Sequence, residues 1–366
     1  MNDSKTLRHS NFELLRIICM LLIIAGHLTK QSGILDTTGL NFNKSFAVFL
    51  GSASGIADNV FVMIGAWFLV EKCFKSDRII KIYFEVFTYC VPITILMIIF
   101  LPQYMGLREM VRGLIPYGGS PLWFATVYIS MLLLSPFMNL LLDDSRKTRT
   151  MLIILFFINV IPSTLLFRND FFYSGEIVWF CFLYLLIGYI KKNGLINKLS
   201  QKSCLLYSVM IYAALLFLYF VVTALSEHVS WVASLEKTLE LSTYFIDRYH
   251  TLPAFLCSIF IFLFFARLDL KNKKWINDIS SGCFGIYIIH QSPGFAKYLW
   301  FGLFNVESWQ SFYIFPLYYI GTVLAIFVGG VIIDYIRRHS IEKWINNSSF
   351  FIIIKNKIDL LYDSWI

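Results

Sequence analysis

Long apolar runs follow one another along almost the whole chain, and they restrict the folds open to it. A helix needs roughly 20 largely apolar residues to cross a bilayer. Hydrophobic residues make up 58% of the 366 residues and charged residues 15%, against roughly 45–50% and 25% in soluble domains. The sequence therefore predicts an all-α, polytopic integral membrane protein with about ten transmembrane helices, over residues 12–29, 46–70, 79–101, 121–142, 151–167, 176–190, 203–225, 251–266, 277–300 and 311–336.

The basic residues test this count independently, because short cytoplasmic loops are enriched in Lys and Arg. With ten helices and the N-terminus inside, 22 of the 31 Lys and Arg residues fall in inner segments. Eight fall in outer segments, and the remaining one, Arg16, lies within the first run. The alternation persists to the end of the chain, so we expect ten helices with both termini in the cytoplasm.

The formal net charge of +8 follows from this topology. It indicates attraction to anionic membrane lipid rather than to nucleic acid. The seven cysteines lack a C-x-x-C pair and stand mostly in or beside apolar runs, which is typical of small buried hydrophobic residues. We therefore expect no metal site and no tightly bound cofactor.

The domain organisation follows the apolar runs. Residues 1–340 are predicted to form one transmembrane domain, and residues 341–366 a cytoplasmic amphipathic tail on the membrane surface. The outer loop over residues 226–250 contains SWVASLEKTLELSTYF, which is typical of a short amphipathic helix. No small-residue cleavage pattern follows the first run, so we expect it to remain as a membrane anchor.

Arg16 and His27 stand eleven residues apart in the first run. Eleven steps of about 100° end only about 20° beyond three full turns, so both side chains lie on one stripe of a helix, about 16 Å apart along its axis. Ionisable residues inside a membrane usually face protein or water and mark functional sites. Ser10 and Glu13, just before this stripe, fit a capping box that would start the helix.

Several phrases together resemble the acyltransferase-3 family of integral membrane O-acyltransferases. Arg16 and His27 match that family's Arg and His of the first helix, separated by ten residues. The second run, DNVFVMIGAWFLVEKCFKSDRIIK, is similar to the family's second helix, although Gly65 and Ala66 stand where Ser and Gly are usual. Its matching positions are Asn59, Phe61, Phe68 and Leu69.

Three further phrases are similar to the fourth, sixth and ninth helices of that family. They read PLWFATVYISMLLLSPFMN, IVWFCFLYLLIGYIKK and SSGCFGIYIIHQSP. The resemblance keeps the family's order over roughly residues 10–340. It implies transfer of an acyl group, most often acetyl, from cytoplasmic acyl-CoA (acetyl-CoA) to a hydroxyl of a cell-surface polysaccharide or lipid-linked sugar. It also implies a location in the bacterial plasma or inner membrane, and it leaves the oligomeric state open.

Four ionisable residues are candidate catalytic groups, and for one of them, Arg16, binding of the donor is favoured over direct chemistry. His27 would lie about 22 Å along its helix, where it could serve as a general base, as an acyl carrier or as an interhelical packing residue. His290 ends the ninth phrase at a similar predicted depth, so both histidines could serve one site, unless His290 only marks the outer end of its helix. Asp58 could hydrogen-bond to a histidine, or form an interhelical structural pair.

Three basic residues are candidates for binding the donor. Arg16 lies near the inner end of its helix, where a guanidinium suits phosphate binding, and where it could instead only pair with Glu13. Arg78 and Lys81 form an R-x-x-K in the loop where family members often have R-x-x-R. They could bind phosphates of coenzyme A, although a positive-inside loop also explains them.

Four aromatic residues in the matched phrases are candidates for binding substrate, because aromatic rings stack on sugars or line acyl pockets. Trp123 is the strongest, since it opens a helix at the predicted outer face. With an aromatic content of 18%, packing and interface belts explain many such rings. The candidates are Trp123, Tyr128, Trp179 and Tyr287.

Two other classes of protein remain open. A transporter or flippase for a lipid-linked sugar would also need buried charges, but the paired interrupted helices of many transporters are not evident. A family member that binds glycan without catalysis is the second alternative, because Gly65 and Ala66 depart from the family pattern.

Overall fold

The computed structural model describes residues 9–37, 39–72, 75–117, 121–165, 175–342 and 356–357. Within these residues the chain is all-helical, with 83% in helices and no strand, which confirms the predicted class. The α-helices in chain order are α1 (Ser10–Gln31), α2 (Phe42–Gly51), α3 (Ser54–Leu69), α4 (Ser76–Phe100), α5 (Leu107–Leu114), α6 (Trp123–Leu142), α7 (Ser145–Leu165), α8 (Gly175–Lys192), α9 (Gln201–His228), α10 (Ser230–Leu239), α11 (Leu241–Asp247), α12 (Leu252–Ala266), α13 (Lys274–Ser280), α14 (Cys283–Gln291), α15 (Phe295–Lys297) and α16 (Phe315–His339).

Seven stretches of the described chain are long and apolar enough to cross a membrane. They are α1, α2 with α3, α4, α6, α7, α9 and α16. The other three predicted spans are less regular. Helix α12 is apolar but has 15 residues, whereas α8 has 18 residues with charged residues in its first and last turns. The count of ten crossings stays a prediction.

The predicted span over residues 277–300 is broken in the structure. It consists of the end of α13, then α14, α15 and the beginning of a π-helical turn, Tyr298–Leu303. The sequence Ser292-Pro293-Gly294 explains the break after α14, because proline has no backbone N–H to continue a helix and Gly294 adopts φ +74°, which glycine tolerates best. Helix α14 therefore ends directly after His290 and Gln291.

Helix α1 lies at the centre of the fold and contacts α2, α3, α12, α13, α14 and α16. Glycine permits the closest of these approaches, since a Cβ on Gly26 would lie 2.3 Å from the Cβ of Ser54. The hydroxyls of Thr29 and Tyr319 lie 2.8 Å apart, and Tyr319 donates a hydrogen bond to the carbonyl of Ala25 at 2.6 Å. Small residues and interhelical hydrogen bonds are the usual determinants of packing within membranes. Here they fix the turn of α1 that carries His27.

The predicted capping box at the start of α1 is wrong. His9 is the N-cap residue and makes no side-chain capping bond. Ser10 instead donates a hydrogen bond to Asn277 at 2.9 Å, and Glu13 accepts one from Ser280. Because α13 provides these partners, the two side chains hold α13 against α1 rather than capping the helix.

The amphipathic helix predicted within residues 226–250 forms two helices, α10 and α11. The chain turns at Glu240, which adopts φ +49°. The Glu236 carboxylate accepts the backbone N–H of Ser242 at 2.8 Å and so stabilises the turn. Of the predicted tail over residues 341–366, all but residues 341–342 and 356–357 lie outside the described part of the chain.

Candidate active site

The structure brings the two candidate histidines into direct contact. His27 Nδ1 lies 2.9 Å from His290 Nε2, and their ring centroids are 5.1 Å apart. His27 is partly exposed, whereas His290 is buried. The residues stand 263 positions apart in the chain, so the pair forms only because α14 packs against α1.

The hydrogen bonds of His290 determine how a neutral pair shares its protons. His290 Nδ1 lies 2.6 Å from the carbonyl oxygen of Ile286, which can only accept, so Nδ1 carries the proton. His290 Nε2 is then an acceptor, and His27 Nδ1 must donate to it. The remaining nitrogen, His27 Nε2, keeps its lone pair and makes no hydrogen bond with any described residue. That nitrogen can take a proton from a substrate.

Gln291 is a further neighbour of the pair that the sequence analysis did not single out. Its amide nitrogen lies 2.9 Å from His27 Nδ1. The nitrogen and oxygen of an amide are assigned from the hydrogen-bond network, and an Nδ1–H on His27 favours the oxygen at this position. The sequence signal that could have identified Gln291 is its position next to His290, directly before the helix break.

A cavity of about 600 Å³ opens beside the N-terminal half of α1. Charged side chains occupy part of its wall and phenylalanines another part. The lining residues are His9, Glu13, Arg16, Phe61, Gly65, Phe68, Lys72, Ile82, Glu85, Phe124, Tyr128, Ser280, Ser281, Cys283 and Phe284. A volume of this size is typical of small-molecule sites.

Arg16 lies in this cavity wall and pairs with Glu13, as the structural alternative predicted. Its Nη1 lies 3.0 Å from a Glu13 carboxylate oxygen, and its guanidinium carbon lies 5.7 Å from the centroid of the Phe68 ring. The side chain is still 26% exposed, and its Nε and Nη2 make no hydrogen bond with described residues. Arg16 can therefore bind an anion in the cavity while it remains paired with Glu13.

Further cations surround the same cavity. Lys72 lines it, and partial burial together with the positive charges of Arg78, Lys191 and Lys75 lowers the pKa of its ammonium group. Lowering by neighbouring cations means that the charged form of Lys72 lies in a positive potential. Arg78 thus acts electrostatically on the cavity although it does not line it. Lys81 instead forms an ion pair with Asp77 at 2.9 Å.

Of the four predicted aromatic residues, Tyr128 and Tyr287 lie near the cavity or the histidine pair, whereas Trp179 and Trp123 lie elsewhere. Tyr128 lines the cavity, and Tyr287 lies beside His290, with 6.2 Å between the ring centroids. Trp179 is fully buried and donates a hydrogen bond from Nε1 to Asn59 at 2.8 Å, so it presents no exposed face to a sugar. Asn59, a position matched to the family, is thereby occupied in packing.

Trp123 belongs to a separate cluster at the start of α6. Its ring stacks on Tyr249, with centroids 6.1 Å apart and planes 10° from parallel. The Tyr249 hydroxyl donates a hydrogen bond to Glu176, whose carboxylate also lies 3.3 Å from His250 Nε2. The sequence analysis missed Glu176, Tyr249 and His250, because only the tertiary fold brings the loop before α12 to the start of α8.

Asp58 lies near the histidines, in the wall of a second, much smaller pocket that it lines together with Ile23 and Tyr287. Among the described residues, no hydrogen bond joins Asp58 to His27 or to His290. The neighbour that orients His27 is therefore an imidazole, and Asp58 lies in the pocket wall.

The departure from the family pattern at Gly65 lies on the cavity wall. A Cβ on Gly65 would stand 2.4 Å from the hydroxyl oxygen of Tyr128. The serine usual at this position would therefore displace Tyr128, whereas glycine leaves the phenol in place. The departure changes the shape of the cavity and leaves the histidine pair intact.

These elements define a polytopic membrane protein in which a helical stripe leads from a cationic cavity to a histidine pair. The acyltransferase-3 family model, described as an acyltransferase domain, matches residues 9–335. The chain therefore belongs to the acyltransferase-3 family and is a membrane acyltransferase, which confirms the resemblance. No curated protein and no solved structure shows a significant match.

Proposed function

We propose that this protein transfers an acyl group, acetyl in the simplest case, from cytoplasmic acyl-CoA to a hydroxyl of a cell-surface polysaccharide or lipid-linked sugar. Family membership supports acyl transfer in general. The observation that carries the proposal further is the continuous stripe on α1, from Arg16 in the cavity wall to His27 with its open Nε2. We further propose ten crossings in a bacterial inner or plasma membrane, with both termini in the cytoplasm.

The cations of the cavity support an acyl-CoA donor. Coenzyme A carries phosphates at one end and the thioester at the other. Arg16 and Lys72 would bind phosphate oxygens, with Arg78 adding long-range attraction. The distance of about 16 Å along α1 from Arg16 to His27 is comparable with the length of an extended pantetheine arm. The phosphates would then remain at the cavity while the thioester reaches the histidines.

In the proposed reaction His27 acts as a general base. Its Nε2 takes the proton of the acceptor hydroxyl, and the hydroxyl oxygen attacks the thioester carbonyl. The carbon–sulfur bond breaks, the new carbon–oxygen bond remains, and the departing thiolate of coenzyme A takes the proton from His27. During the reaction the Nδ1–H of His27 donates to His290, which stabilises the imidazolium in the manner of a triad.

The cluster around Trp123 supports an acceptor at the outer face. Aromatic faces and a carboxylate are groups that bind sugars, through stacking and hydrogen bonds to hydroxyls. Trp123 and Tyr249 supply the rings, and Glu176, 41% exposed in its side chain, supplies the carboxylate. We propose that the acceptor approaches from this side and the donor from the other.

The proposal is tested by transfer of label from radioactive acetyl-CoA to the glycan fraction of membrane vesicles. The vesicles come from a deletion strain of the host that expresses wild type, His27→Ala or His339→Ala at equal levels. His339 is an exposed histidine at the end of α16, so it controls for loss of a histidine. We expect base-labile label with wild type and His339→Ala, and at least about 10²-fold less with His27→Ala.

Other outcomes would contradict the proposal. Full transfer by His27→Ala would exclude the proposed chemistry. If wild type transfers nothing but changes the side of the membrane on which a lipid-linked sugar is found, the protein is a flippase. Label that remains on the protein at His27 after denaturation would instead indicate an acyl-carrier mechanism.

A further inference from the structure

Three phenylalanines form the boundary between the cavity and a second pocket. Phe61 of α3, Phe124 of α6 and Phe284 of α14 line both spaces. The rings of Phe61 and Phe124 are nearly perpendicular, at 84°, with centroids 6.3 Å apart. We call these three residues the phenylalanine septum.

The pocket beyond the septum adjoins the histidine pair through Tyr287. Met20 and Ile23 line it from α1, on the same stripe as Arg16 and His27, because Ile23 precedes His27 by one turn. Tyr287 lines it from α14 and contacts the His290 ring. A group that travels from the cavity along α1 toward His27 must therefore cross the septum.

The second pocket is too small for an acyl group in this conformation. Its volume is about 10 Å³, whereas a single water already requires roughly 10–15 Å³ by the same kind of measure. An acetyl group has three non-hydrogen atoms. Transfer at His27 therefore requires the septum to move.

We propose that the phenylalanine septum is the gate for the acyl end of the donor and sets the size of acyl group that reaches His27. This inference rests on the proposed function. Phe61 and Phe284 are only partly buried and can rotate into the cavity. Phe124 is 7% exposed and packs against Phe180, so it forms the fixed side of the gate.

The polarity of the two spaces agrees with this direction of entry. Charged groups at the cavity bind the phosphates, while the septum and the pocket beyond it offer mainly apolar side chains to the acyl chain. One methylene more or less in such a pocket changes specificity by roughly 10- to 200-fold. Widening the gate should therefore change the order of preference among acyl groups.

The test compares acetyl-CoA with butyryl-CoA in the same vesicle assay. Phe61→Ala, Phe284→Ala and the milder Phe284→Leu widen the septum, and Phe68→Ala is the control. Phe68 is a phenylalanine of the same cavity that contacts Arg16 and does not line the second pocket. For the septum variants we expect the ratio of kcat/KM for butyryl-CoA to that for acetyl-CoA to rise at least about 10-fold, and for Phe68→Ala to stay constant.

The inference and the proposed function fail in different ways. If wild type transfers acetyl in a His27-dependent manner and the folded septum variants keep its acyl preference, the septum is not the filter. An equal change of preference in Phe68→Ala would also overturn the inference. If wild type uses no acyl-CoA, the proposed function fails and the inference falls with it. Gel filtration in detergent identifies misfolded variants. Phe284→Leu replaces Phe284→Ala if that variant misfolds, and the Phe284 variants decide the test if Phe61→Ala misfolds.

Discussion

His27 and His290 can do different chemistry although their nitrogens lie 2.9 Å apart. Both nitrogens of His290 are engaged, one with the Ile286 carbonyl and one with His27. The burial of His290 keeps substrate away from it. In His27, by contrast, Nε2 makes no hydrogen bond with any described residue. We therefore propose that His290 is a positioning residue that fixes the tautomer of His27.

Replacement of His290 should reduce turnover without weakening donor binding. In His290→Phe an aromatic ring is retained, but His27 Nδ1 loses the acceptor nitrogen of His290 and keeps only the Gln291 amide. We expect kcat to fall about 10²-fold, near the lower end of general-base effects, with little change in KM for acetyl-CoA. In His290→Gln an amide oxygen can accept the same proton, so part of kcat should return. Equal kcat in His290→Phe and wild type would exclude the positioning role.

Part of this site was predictable from single residues and their spacing. The eleven-residue interval between Arg16 and His27 is a property of helix geometry, and the similar depth of His290 follows from counting residues from the membrane edge. The Gln291 contact and the partnership of Ser10 and Glu13 with α13 were not predictable. They depend on how α13 and α14 pack against α1, which no local pattern encodes.

At the level of elements, the contact between α1 and the start of α3 determines where His27 lies. Gly26 precedes His27 in sequence, and its missing side chain allows the backbone of α1 to approach Ser54. A larger residue would push the helices apart and move the histidine with them. The same displacement would widen the distance to His290.

Gly26→Ala should therefore lower both stability and activity. The added Cβ would lie 2.3 Å from a backbone-bound atom, the Cβ of Ser54, so the helices must separate. Overpacking typically costs about 1–3 kcal/mol, and a shift near 1 Å can reduce catalysis about 10²-fold.

Gly329→Ala is the matched control for this prediction. Gly329 lies in α16, no atom of the described part of the chain stands within 4 Å of its missing Cβ, and alanine improves helix propensity there. Thermal unfolding in detergent and the vesicle assay give the two readouts. A Gly26→Ala protein as stable and active as Gly329→Ala would show that the close approach is dispensable.

The elements themselves were predicted unevenly. Long apolar runs such as α1, α4 and α9 follow from hydropathy alone. The short helices within residues 274–303 were not predicted. Their composition is typical of one membrane span, but the proline and glycine after Gln291 interrupt it. The separation of α10 from α11 depends on the φ of Glu240, a conformation that a glutamate rarely adopts.

At the scale of the whole molecule, the cavity is a meeting point of cations: Arg16 and Lys72 line it, and Arg78, Lys191 and Lys75 act electrostatically on Lys72. Burial of the Lys72 ammonium group and its cationic neighbours both lower the pKa of Lys72. Both carboxylates that line the cavity have basic partners, Glu13 with Arg16 and Glu85 with Arg337. The cavity is therefore suited to a polyanion.

As the pH rises, the affinity for coenzyme A should begin to fall at a lower pH than it would if Lys72 had the pKa of an ordinary lysine. Lys72 is charged below its lowered pKa and loses its charge as the pH rises through that value, so its contact with phosphate is lost in that range. In Lys72→Arg the charge persists, and we expect affinity to hold to higher pH. Isothermal titration of coenzyme A into the purified protein, with Lys147→Arg as an exposed control, measures this. Superimposable pH curves for wild type and Lys72→Arg would contradict it.

The closed phenylalanine septum has a consequence for how the protein treats its donor between turnovers. A thioester that waits on the cavity side would be separated from His27 Nε2, which as a general base could activate water as readily as a sugar hydroxyl. Hydrolysis of the donor is then held back by geometry, not by slow chemistry at the histidine. The same three rings that would select the acyl group would also protect the donor from hydrolysis when no acceptor is present.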